Sequence, residues 1–328
     1  MSDRRYVIVG AGAVGGTIGG LLARADHEVV VIARGPHLAA LQESGLDLRT
    51  PRGARRVDLP AVGSVAEVDW RPDDVAVLAV KGQDTESVLG ELAAHADPGT
   101  PLVCAQNGVA NERRALRRFA HVHGMCVMLP AVHLEPGVVA AFGDPAPGIL
   151  DLGRIPQGVD ALDEEVAEDL RGVGFASEPH PDVLRAKHRK LISNLANALI
   201  ALCGPESLET DAGAALLGDV MAEGEEVLAA AGIDVATAEE DRARRDGVFR
   251  IGEVEGVARG GGSTWQSLAR GAGAAEADTL NGEIVLQARL HGRTAPVNQR
   301  LQRLVRQAAR EGWPPGSVNP ADLLPADS

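Results

Sequence analysis

Lysine is the scarcest charged side chain in this sequence. Lysine and arginine together number 32, yet the only lysines are Lys81, Lys187 and Lys190. An arginine side chain stays protonated above about pH 12, whereas a buried ammonium group loses its proton more readily and can serve as an acid or a base. A lysine in so arginine-rich a chain is therefore a candidate for chemistry that arginine cannot perform.

Aromatic residues and positive net charge are also lacking. Phe, Trp and Tyr make up 2 % of the chain, and its formal net charge at pH 7 is −14. Nucleic-acid binding depends on a basic surface and, for single strands, on aromatic side chains that stack on bases. We therefore predict no nucleic-acid partner.

Long apolar runs are absent as well. None approaches the roughly 20 residues that span a bilayer. The first predicted strand begins at Tyr6 with no secretory signal before it. We predict a cytoplasmic protein with no membrane partner.

Cysteine and histidine spacings give no sign of a cross-link or a metal centre. The cysteines are odd in number and widely spaced, so we predict reduced, mostly buried thiols at Cys104, Cys126 and Cys203. The nearest approach to a ligand cluster is the trio His121, His123 and His133. No cysteine lies near these histidines, and we predict no metal site.

The first 180 residues alternate short apolar strands with helical stretches. This alternation is typical of a Rossmann-type doubly wound α/β sheet, whose parallel strands are buried on both faces. The predicted strands are Tyr6–Val9, Glu28–Ala33, Val75–Val80 and Pro101–Ala105, with Phe175–Glu178 a candidate for the last one. The predicted crossover helices are Gly12–Arg24, Pro36–Ser44, Thr85–His95 and Asn111–Arg118. Between Met125 and Gly153, Gly and Pro turns predict an antiparallel extension of the same sheet.

From Pro181 onward the strand pattern gives way to helical periodicity. The predicted helices are Val183–Leu202, Asp211–Ala231, Glu276–His291 and Asn298–Glu311, and the glycine-rich stretch Arg259–Ser263 is predicted to be a loop. We predict two domains, an α/β domain over residues 1–180 and an all-helical domain over residues 181–328.

Glycines follow the first predicted strand in the pattern G-x-G-x-x-G. The first glycine permits a tight turn, the second lets the backbone approach a pyrophosphate, and the third lets helix and strand pack closely. The N-terminus of the next helix offers free N–H groups to the phosphates. The segment predicted to bind a dinucleotide is Gly10, Ala11, Gly12, Ala13, Val14 and Gly15.

The end of the second predicted strand indicates which dinucleotide is bound. NAD enzymes usually present Asp or Glu there to the ribose hydroxyls, whereas this chain has Arg34. Arginine pairs with a 2′-phosphate, and Lys81 supplies a second cation after a later strand. Both residues favour NADP(H) as the cofactor; the alternative for Arg34 is a solvated surface charge.

Polar side chains recur on one face of the helix predicted from Val183. On an α-helix Asn194 lies about 40° from Lys190, and Asn197 lies about 20° away on the other side. Buried amides need hydrogen-bond partners, so two asparagines beside an ammonium group indicate a polar pocket. A solvated helix face is the alternative.

Five segments carry a resemblance to a known family. They are Gly10–Gly15, Val80-Lys81, Gln106-Asn107-Gly108, Arg189-Lys190-Leu191 with Asn194, and Glu276-Ala277-Asp278-Thr279-Leu280-Asn281-Gly282. The last three, in that order, are much more specific than the glycine motif. Over nearly its whole length the chain resembles the ketopantoate reductases, or 2-dehydropantoate 2-reductases.

The resemblance implies catalytic roles for three residues. Lys190 is implied to be the general acid that protonates the ketone oxygen as hydride arrives from NADPH. Glu276 is implied to orient the substrate, and Asn107 to lie where cofactor and substrate meet. On sequence alone, a helix-opening charge is the alternative for Glu276.

The chain departs from the family pattern at the substrate-binding positions. The family's second helical amide falls at Ala198, so either Asn197 or a one-residue gap replaces it. The substrate carboxylate is implied to bind a hydroxyl at Thr264, with Ser263 beside it. Without the resemblance these two hydroxyls could equally cap a helix.

We predict NADPH-dependent reduction of a small anionic 2-oxo acid to a 2-hydroxy acid. The leading reaction is 2-dehydropantoate to pantoate, a step of pantothenate biosynthesis. Two alternatives stay open: another branched 2-oxo acid or 2-oxo ester as the substrate, or an NADP(H)-binding sensor without turnover. The resemblance also allows a homodimer through the helical domain.

Overall fold

The computed structural model of the protein describes residues 4–133, 135–258, 260–271, 273 and 275–323. The strands are β1 Arg5–Val9, β2 Glu28–Ile32, β3 Leu46–Thr50, β4 Gly53–Val57, β5 Ala61–Val62, β6 Asp74–Leu78, β7 Leu102–Cys104, β8 Val122–Met128, β9 Ala131–Val132, β10 Val138–Ala141, β11 Gly143–Pro145, β12 Ile149–Arg154 and β13 Phe249–Ile251. The helices are α1 Ala13–Arg24, α2 Gly35–Ser44, α3 Thr85–His95, α4 Ala110–Ala115, α5 Ala161–Gly172, α6 Val183–Asn194, α7 Ala196–Cys203, α8 Asp211–Ala230, α9 Ala238–Arg245, α10 Ser263–Ala269, α11 Asn281–Leu290 and α12 Pro296–Glu311.

A seven-stranded sheet in the order β12-β8-β7-β6-β1-β2-β5 organises the first half of the chain. Neighbouring strands from β5 to β8 are parallel, and β12 pairs antiparallel with β8. Strand order reverses between β1 and β6, and ligands of such sheets bind at the carboxyl ends of the strands at this point. The predicted doubly wound α/β fold is confirmed.

The main sheet is buried on both faces, as its apolar sequences predict. All five residues of β1 are buried. Tyr6 and Ile8 belong to one core cluster, whereas Val7 and Val9 belong to another, because successive strand residues point to opposite faces. Helices therefore cover each face, and the edge formed by the carboxyl ends of the strands is available for ligand binding.

The sequence did not reveal a second sheet. The strands of this second sheet have the order β4-β3-β10-β9, and a separate two-stranded sheet pairs β11 with β13. The predicted extension between Met125 and Gly153 is therefore correct for β8 and β12, whereas β9 and β10 join the second sheet. The candidate strand Phe175–Glu178 is wrong. It is reduced to isolated bridges of Ala176 and Pro179, and a proline cannot donate to a ladder.

The chain divides into two compact units. Unit 1 is Met1–Lys187 with Ala238–Arg259, and unit 2 is His188–Thr237 with Gly260–Ser328. The predicted boundary after residue 180 differs from this division, because segment 238–259 returns to unit 1. There β13 pairs with β11, and Arg244 Nη2 donates to buried Asp151 Oδ1 at 2.6 Å. Within the described residues of unit 2 all regular elements are helical, whereas β13 is a strand that the sequence analysis missed.

Two predicted helices are interrupted. Val183–Leu202 is divided at Leu195 into α6 and α7. The Leu195 N–H is shared between the carbonyls of Leu191 and Ile192, and its own carbonyl accepts a bond from Asn281 Nδ2 at 3.4 Å. A side chain that bonds to the helical backbone in this way breaks the regular ladder. Glu276–His291 is likewise a 3-10 turn over Glu276–Asp278 followed by α11.

Three further features of the described residues relate to the sequence analysis. The three cysteines are unlinked, with Cys104 and Cys126 buried and Cys203 half-buried. No described helix combines the length and the apolar composition that crossing a membrane requires. Of the predicted loop Arg259–Ser263, Arg259 lies outside the described residues, and Ser263 opens α10 instead.

Candidate active site

The turn between β1 and α1 is closely packed at two of its glycines. Gly10 has φ +104°, and a Cβ there would lie 2.9 Å from the backbone nitrogen of Val80. A Cβ on Gly15 would lie 2.1 Å from the carbonyl oxygen of Gly10, so the helix could not pack this closely on the strand. A Cβ on Gly12 would meet no described atom within 4 Å. The first turn of α1 holds no acidic residue, so its N–H groups suit an anion.

His37 supports this turn, and no motif pointed to it. The backbone N–H of Gly137 donates to His37 Nδ1 at 2.9 Å, and His37 Nε2 lies 2.8 Å from the carbonyl oxygen of Ala11. Since Nδ1 accepts, the imidazole is neutral and Nε2–H donates to Ala11. Burial lowers the pKa of His37, and the bond to Ala11 only partly opposes that shift. The glycine turn therefore rests on a neutral histidine.

Arg34 and Lys81 follow strands at the same edge of the sheet. Arg34 occupies the cap position before α2, directly after β2, and its side chain is 61 % exposed. Its Nη2 lies 3.3 Å from Oε1 of Glu91 on α3. Lys81 is half-buried in the turn between β6 and α3. The exposure of Arg34 is compatible with the solvated-charge alternative, and its role as a 2′-phosphate ligand stays a prediction.

Asn107 lies in the turn after β7 and is half-buried. The turn passes through Gly108, which has φ +79°. The preceding Gln106 is buried, and its Nε2 donates to the Val80 carbonyl at 2.6 Å and to Thr85 Oγ1 at 2.9 Å. Gln106 thus joins the turn that carries Asn107 to the turn that carries Lys81.

The predicted substrate residues on α6 and α7 are largely withdrawn from solvent. Asn194 is 6 % exposed, and Lys190 and Asn197 are half-buried. The solvated-face alternative is therefore disfavoured. The division at Leu195 assigns Asn197 to α7, while Lys190 and Asn194 belong to α6. Leu195 itself keeps helical dihedrals, with φ −60° and ψ −30°, and the shared face of the three residues stays a prediction.

The hydroxyls of Ser263 and Thr264 do not cap α10. Its cap position is Gly262, with no side-chain hydrogen bond, which removes the capping alternative. Thr264 is 2 % exposed. Ser263 Oγ is buried and has no hydrogen-bond partner among the described residues. A Cβ on the neighbouring Gly262 would lie 2.8 Å from Asn197 Oδ1, so the Asn197 amide lies directly beside this segment.

A buried asparagine pair lies behind the break between α6 and α7. Asn281 Nδ2 donates to Asn298 Oδ1 at 2.9 Å as well as to the Leu195 carbonyl. Asn298 Nδ2 in turn donates to Glu223 Oε1 at 2.9 Å and to the Val220 carbonyl at 3.1 Å. The sequence signal existed, since Asn281 ends the Glu-x-Asp-x-x-Asn pattern, but the pattern did not disclose this contact.

Glu276 is 8 % exposed and belongs to the 3-10 turn before α11, not to the first turn of an α-helix. The dipole argument that placed an anion at a helix start therefore does not hold for it. The structure brings the predicted cofactor residues to one edge of the sheet in unit 1. Lys190, Asn194, Asn197, Ser263, Thr264 and Glu276 all belong to unit 2.

A trio of His123, Asp160 and Asp163 has the spacing of a metal site in the described residues. Its ligand atoms are occupied. Asp160 and Asp163 form a reciprocal capping box at the start of α5, and Asp163 Oδ1 lies 2.7 Å from His123 Nδ1. The trio is explained by helix capping, and we assign no metal to it.

Comparison with known proteins identifies the family of this chain. A family model described as "Ketopantoate reductase PanE/ApbA" matches residues 6–157, and one described as its C-terminal part matches residues 182–309. The 2-dehydropantoate 2-reductase of Halobacterium salinarum is 31 % identical, over 94 % of this chain and 100 % of its own length. The chain belongs to the ketopantoate reductase family.

Solved structures agree with this assignment. A PanE/ApbA family ketopantoate reductase from Ralstonia eutropha JMP134 matches with a TM-score of 0.79 and 30 % identity, covering 94 % of this chain and 99 % of that one. D-mandelate dehydrogenase in a ternary structure with NADH and anilino(oxo)acetate matches with a TM-score of 0.81 over 94 % of this chain and 99 % of that one. Its 22 % identity shows the fold alone. As a ketopantoate reductase family member, the protein is a pyridine-nucleotide-dependent oxidoreductase of the 2-oxo acid reductase class.

Proposed function

We propose that the protein reduces 2-dehydropantoate to pantoate with NADPH. The observation that carries the proposal is the buried, unpartnered Oγ of Ser263 beside the Asn197 amide. A buried hydroxyl without a partner costs free energy, which a bound acceptor relieves. The carboxylate of a 2-oxo acid is such an acceptor.

This geometry also supports a choice between the options that the sequence left open. Ser263, with its unsatisfied hydroxyl, is the proposed carboxylate ligand, and Asn197 is the proposed second amide. Ala198, at the family's usual amide position, is 2 % exposed and offers no polar group. Asn194 and Glu276 are both nearly buried and are proposed to hold the ketone and the hydroxyl group of the substrate.

Lys190 is the proposed general acid. Reduction adds a hydride, which NADPH supplies when bound, to the carbonyl carbon, and a proton to the carbonyl oxygen. Negative charge develops on that oxygen, and an adjacent ammonium group stabilises it and then neutralises it by proton transfer. A guanidinium group would stabilise the charge but would hardly release a proton. These properties account for a lysine at this position in an arginine-rich chain.

The residues of unit 1 fit a bound NADP(H). The open space at Gly12 and the free N–H groups of α1 suit the pyrophosphate, while Arg34 and Lys81 suit a 2′-phosphate. Asn107 is proposed to contact both cofactor and substrate. Preference for NADPH over NADH is part of the proposal.

A second candidate is the reduction of another branched 2-oxo acid or 2-oxo ester, with NADH as the alternative nucleotide. It is favoured by Ala198 and Thr264, which differ from the residues usual in the family. It is also favoured by the likeness in fold to D-mandelate dehydrogenase, whose structure was solved with NADH. The segment at the start of α10 is closely packed. The ring of Trp265 lies against the backbone of Gly260 and Gly261, where a Cβ would be 2.6 Å and 2.4 Å from it.

Steady-state kinetics of the full chain separate these candidates. NADPH and NADH oxidation would be followed with 2-dehydropantoate, with a branched 2-oxo acid that lacks the 4-hydroxyl, with phenylglyoxylate and with a 2-oxo ester. The proposal expects the highest kcat/KM for 2-dehydropantoate and NADPH. A higher value for another substrate would support the second candidate, and no oxidation across the panel would contradict both and favour a sensor.

A further inference from the structure

The third lysine, Lys187, is a buried cation within unit 1. It lies on α6 and is 2 % exposed. Its Nζ donates to the carbonyl oxygens of Gln106 and Met125, each at 2.8 Å, and lies 2.8 Å from Oε1 of Glu112. The ammonium group therefore makes two backbone hydrogen bonds and one ion pair, and neither Glu112 oxygen meets hydrogen-bond geometry among the described residues.

The contact with Gln106 acts on Asn107 through a shared peptide group. The Gln106 carbonyl and the Asn107 N–H belong to the same planar unit, so a bond to one fixes the orientation of the other. The Gln106 side chain extends the effect, because its bond to the Val80 carbonyl fixes the peptide group that carries the Lys81 N–H. Lys187 and Gln106 thus hold the two peptide groups that lead into Asn107 and Lys81.

Gln106 needs the bond from Lys187 to stay in place. Its Oε1 is buried and has no hydrogen-bond partner among the described residues, so only its amide nitrogen anchors the side chain. The backbone anchor is the carbonyl that Lys187 holds. Without it, the turn Gln106–Gly108 would lose the backbone bond that ties it to α6.

Stability alone does not explain a charged pair at this position. Glu112 is 1 % exposed, so both ions are withdrawn from water. Replacement of a buried ion pair by apolar side chains of similar volume is often neutral or stabilising. The fully buried Cys104 nearby supplies no countercharge, because burial, and then the Glu112 carboxylate, raise the pKa of its thiol.

The shape of the cation matters as well. Three acceptors surround Nζ, which suits the compact ammonium group with its three diverging donors. The planar guanidinium fork of arginine is larger and directs its donors in one plane. The site is therefore specific for lysine in a chain that otherwise uses arginine.

We propose that Lys187 is a positioning residue that holds the Asn107 turn and, through Gln106, the Lys81 turn for cofactor binding. The proposal rests on the function proposed above, since it assigns those turns to the cofactor. Lys187 touches neither cofactor nor substrate in this proposal. It acts through the backbone of Gln106.

The test compares variants of the full chain. Lys187→Met leaves the Glu112 anion buried and unpaired. A loss of activity in this variant could therefore come from poorer folding as well as from a displaced Asn107 turn. The double variant Lys187→Met/Glu112→Leu removes both charges and is expected to unfold near the wild-type denaturant midpoint. Lys187→Arg keeps the charge and changes the shape. Arg185→Met, on the same helix but paired with the exposed Glu240, is the matched control.

We expect the double variant and Lys187→Arg to weaken NADPH binding and lower kcat on the order of tenfold to a hundredfold, because misplaced binding groups lose that much. Arg185→Met is expected to match wild type. Hydrogen exchange of the amides from Gln106 to Gly108 is expected to speed up in the double variant. A stably folded double variant whose NADPH Kd and kcat stay at the wild-type values would overturn the proposal.

The test also covers a double variant that does not fold and a wild-type protein that shows no activity. If the apolar pair does not fold, the neutral pair Lys187→Gln/Glu112→Gln replaces it with the same criteria. If the wild-type protein oxidises no nucleotide, the proposed function fails on its own, and hydrogen exchange then decides the positioning role. Faster exchange from Gln106 to Gly108 supports it, and unchanged exchange overturns it.

Discussion

Nη2 of Arg34 lies 3.3 Å from Oε1 of Glu91, so the residue proposed to bind the 2′-phosphate is already engaged by a carboxylate. Both side chains are substantially exposed, at 61 % and 35 %. Ion pairs of this kind contribute little to stability because water screens them. The pair can therefore open for a phosphate, although Glu91 competes with it.

Glu91→Gln is expected to lower the Kd for NADPH several-fold, because it removes a competing anion, and to leave the Kd for NADH unchanged. Arg34→Ala should have the opposite effect on NADPH alone. Fluorescence titration at low salt measures both constants. Glu86→Gln is the control, because Glu86 lies on α3 with Glu91 and the substitution breaks its exposed ion pair with Arg118. Equal effects on both nucleotides would exclude Arg34 from 2′-phosphate recognition.

The neutral state of His37 predicts a pH effect on stability. Its pKa in the folded protein lies below the ordinary value of 6.5, chiefly because of burial. As pH falls below about 6.5, the unfolded chain therefore takes up a proton that the folded chain resists, and the free energy of unfolding falls. The loss levels off once the folded form also titrates. Above this window His37 makes no pH-dependent contribution.

Urea unfolding between pH 5 and pH 8 tests this effect, and His37→Gln is the comparison, since glutamine keeps a donor and an acceptor but does not titrate. Wild type should lose more stability on acidification than the variant does. Parallel pH profiles for the two proteins would show that His37 is not the group responsible.

Substitutions of Ser263 and of Thr264 are expected to have different effects on the KM for the 2-oxo acid. Ser263→Ala removes a hydrogen bond to a carboxylate and should raise KM for the 2-oxo acid on the order of tenfold to a hundredfold. It should not destabilise the free protein, because the Oγ has no partner among the described residues. Thr264→Val should leave KM nearly unchanged. A KM increase confined to Thr264→Val would assign the carboxylate to Thr264 instead.

Asn298 is expected to be the most sensitive polar residue of unit 2 to substitution. It is fully buried, and Asn298→Ala would remove its bonds with Asn281 Nδ2, the Val220 carbonyl and Glu223 Oε1. A loss of about 2 kcal/mol or more in the free energy of unfolding follows. Denaturant titration measures it, with the exposed Asn319→Ala as the control. Equal losses in the two variants would argue against the buried network.

Local signals in the sequence were sufficient for the glycine turn and the parallel sheet. Gly10, Gly12 and Gly15 follow an apolar strand, and the structure shows a steric reason for Gly10 and Gly15, whereas a Cβ on Gly12 would meet no described atom within 4 Å. The second sheet was missed for a local reason too. Four of the five residues of β4 are exposed, and the strand contains Arg55 and Arg56, so it has no apolar run.

What the sequence could not disclose depends on distant contacts. Leu195 is an apolar residue with good helix propensity, and its carbonyl accepts a bond from Asn281, 86 positions away. His37 contacts Ala11 with no motif to announce it. The proposed preference for Ser263 over Thr264 likewise depends on the burial of Ser263 Oγ without a partner among the described residues, since both residues offer a hydroxyl at the same point of the chain.

The measurement that tests the central claim most directly is the turnover of Lys190→Ala beside its affinity for NADPH. The account predicts a loss of kcat by orders of magnitude, because the proton donor for the alkoxide is removed, while the NADPH Kd stays near the wild-type value. Lys190→Arg should fail to restore turnover. Near-normal kcat in Lys190→Ala, with 2-dehydropantoate or any other substrate that the wild-type protein reduces, would contradict the account.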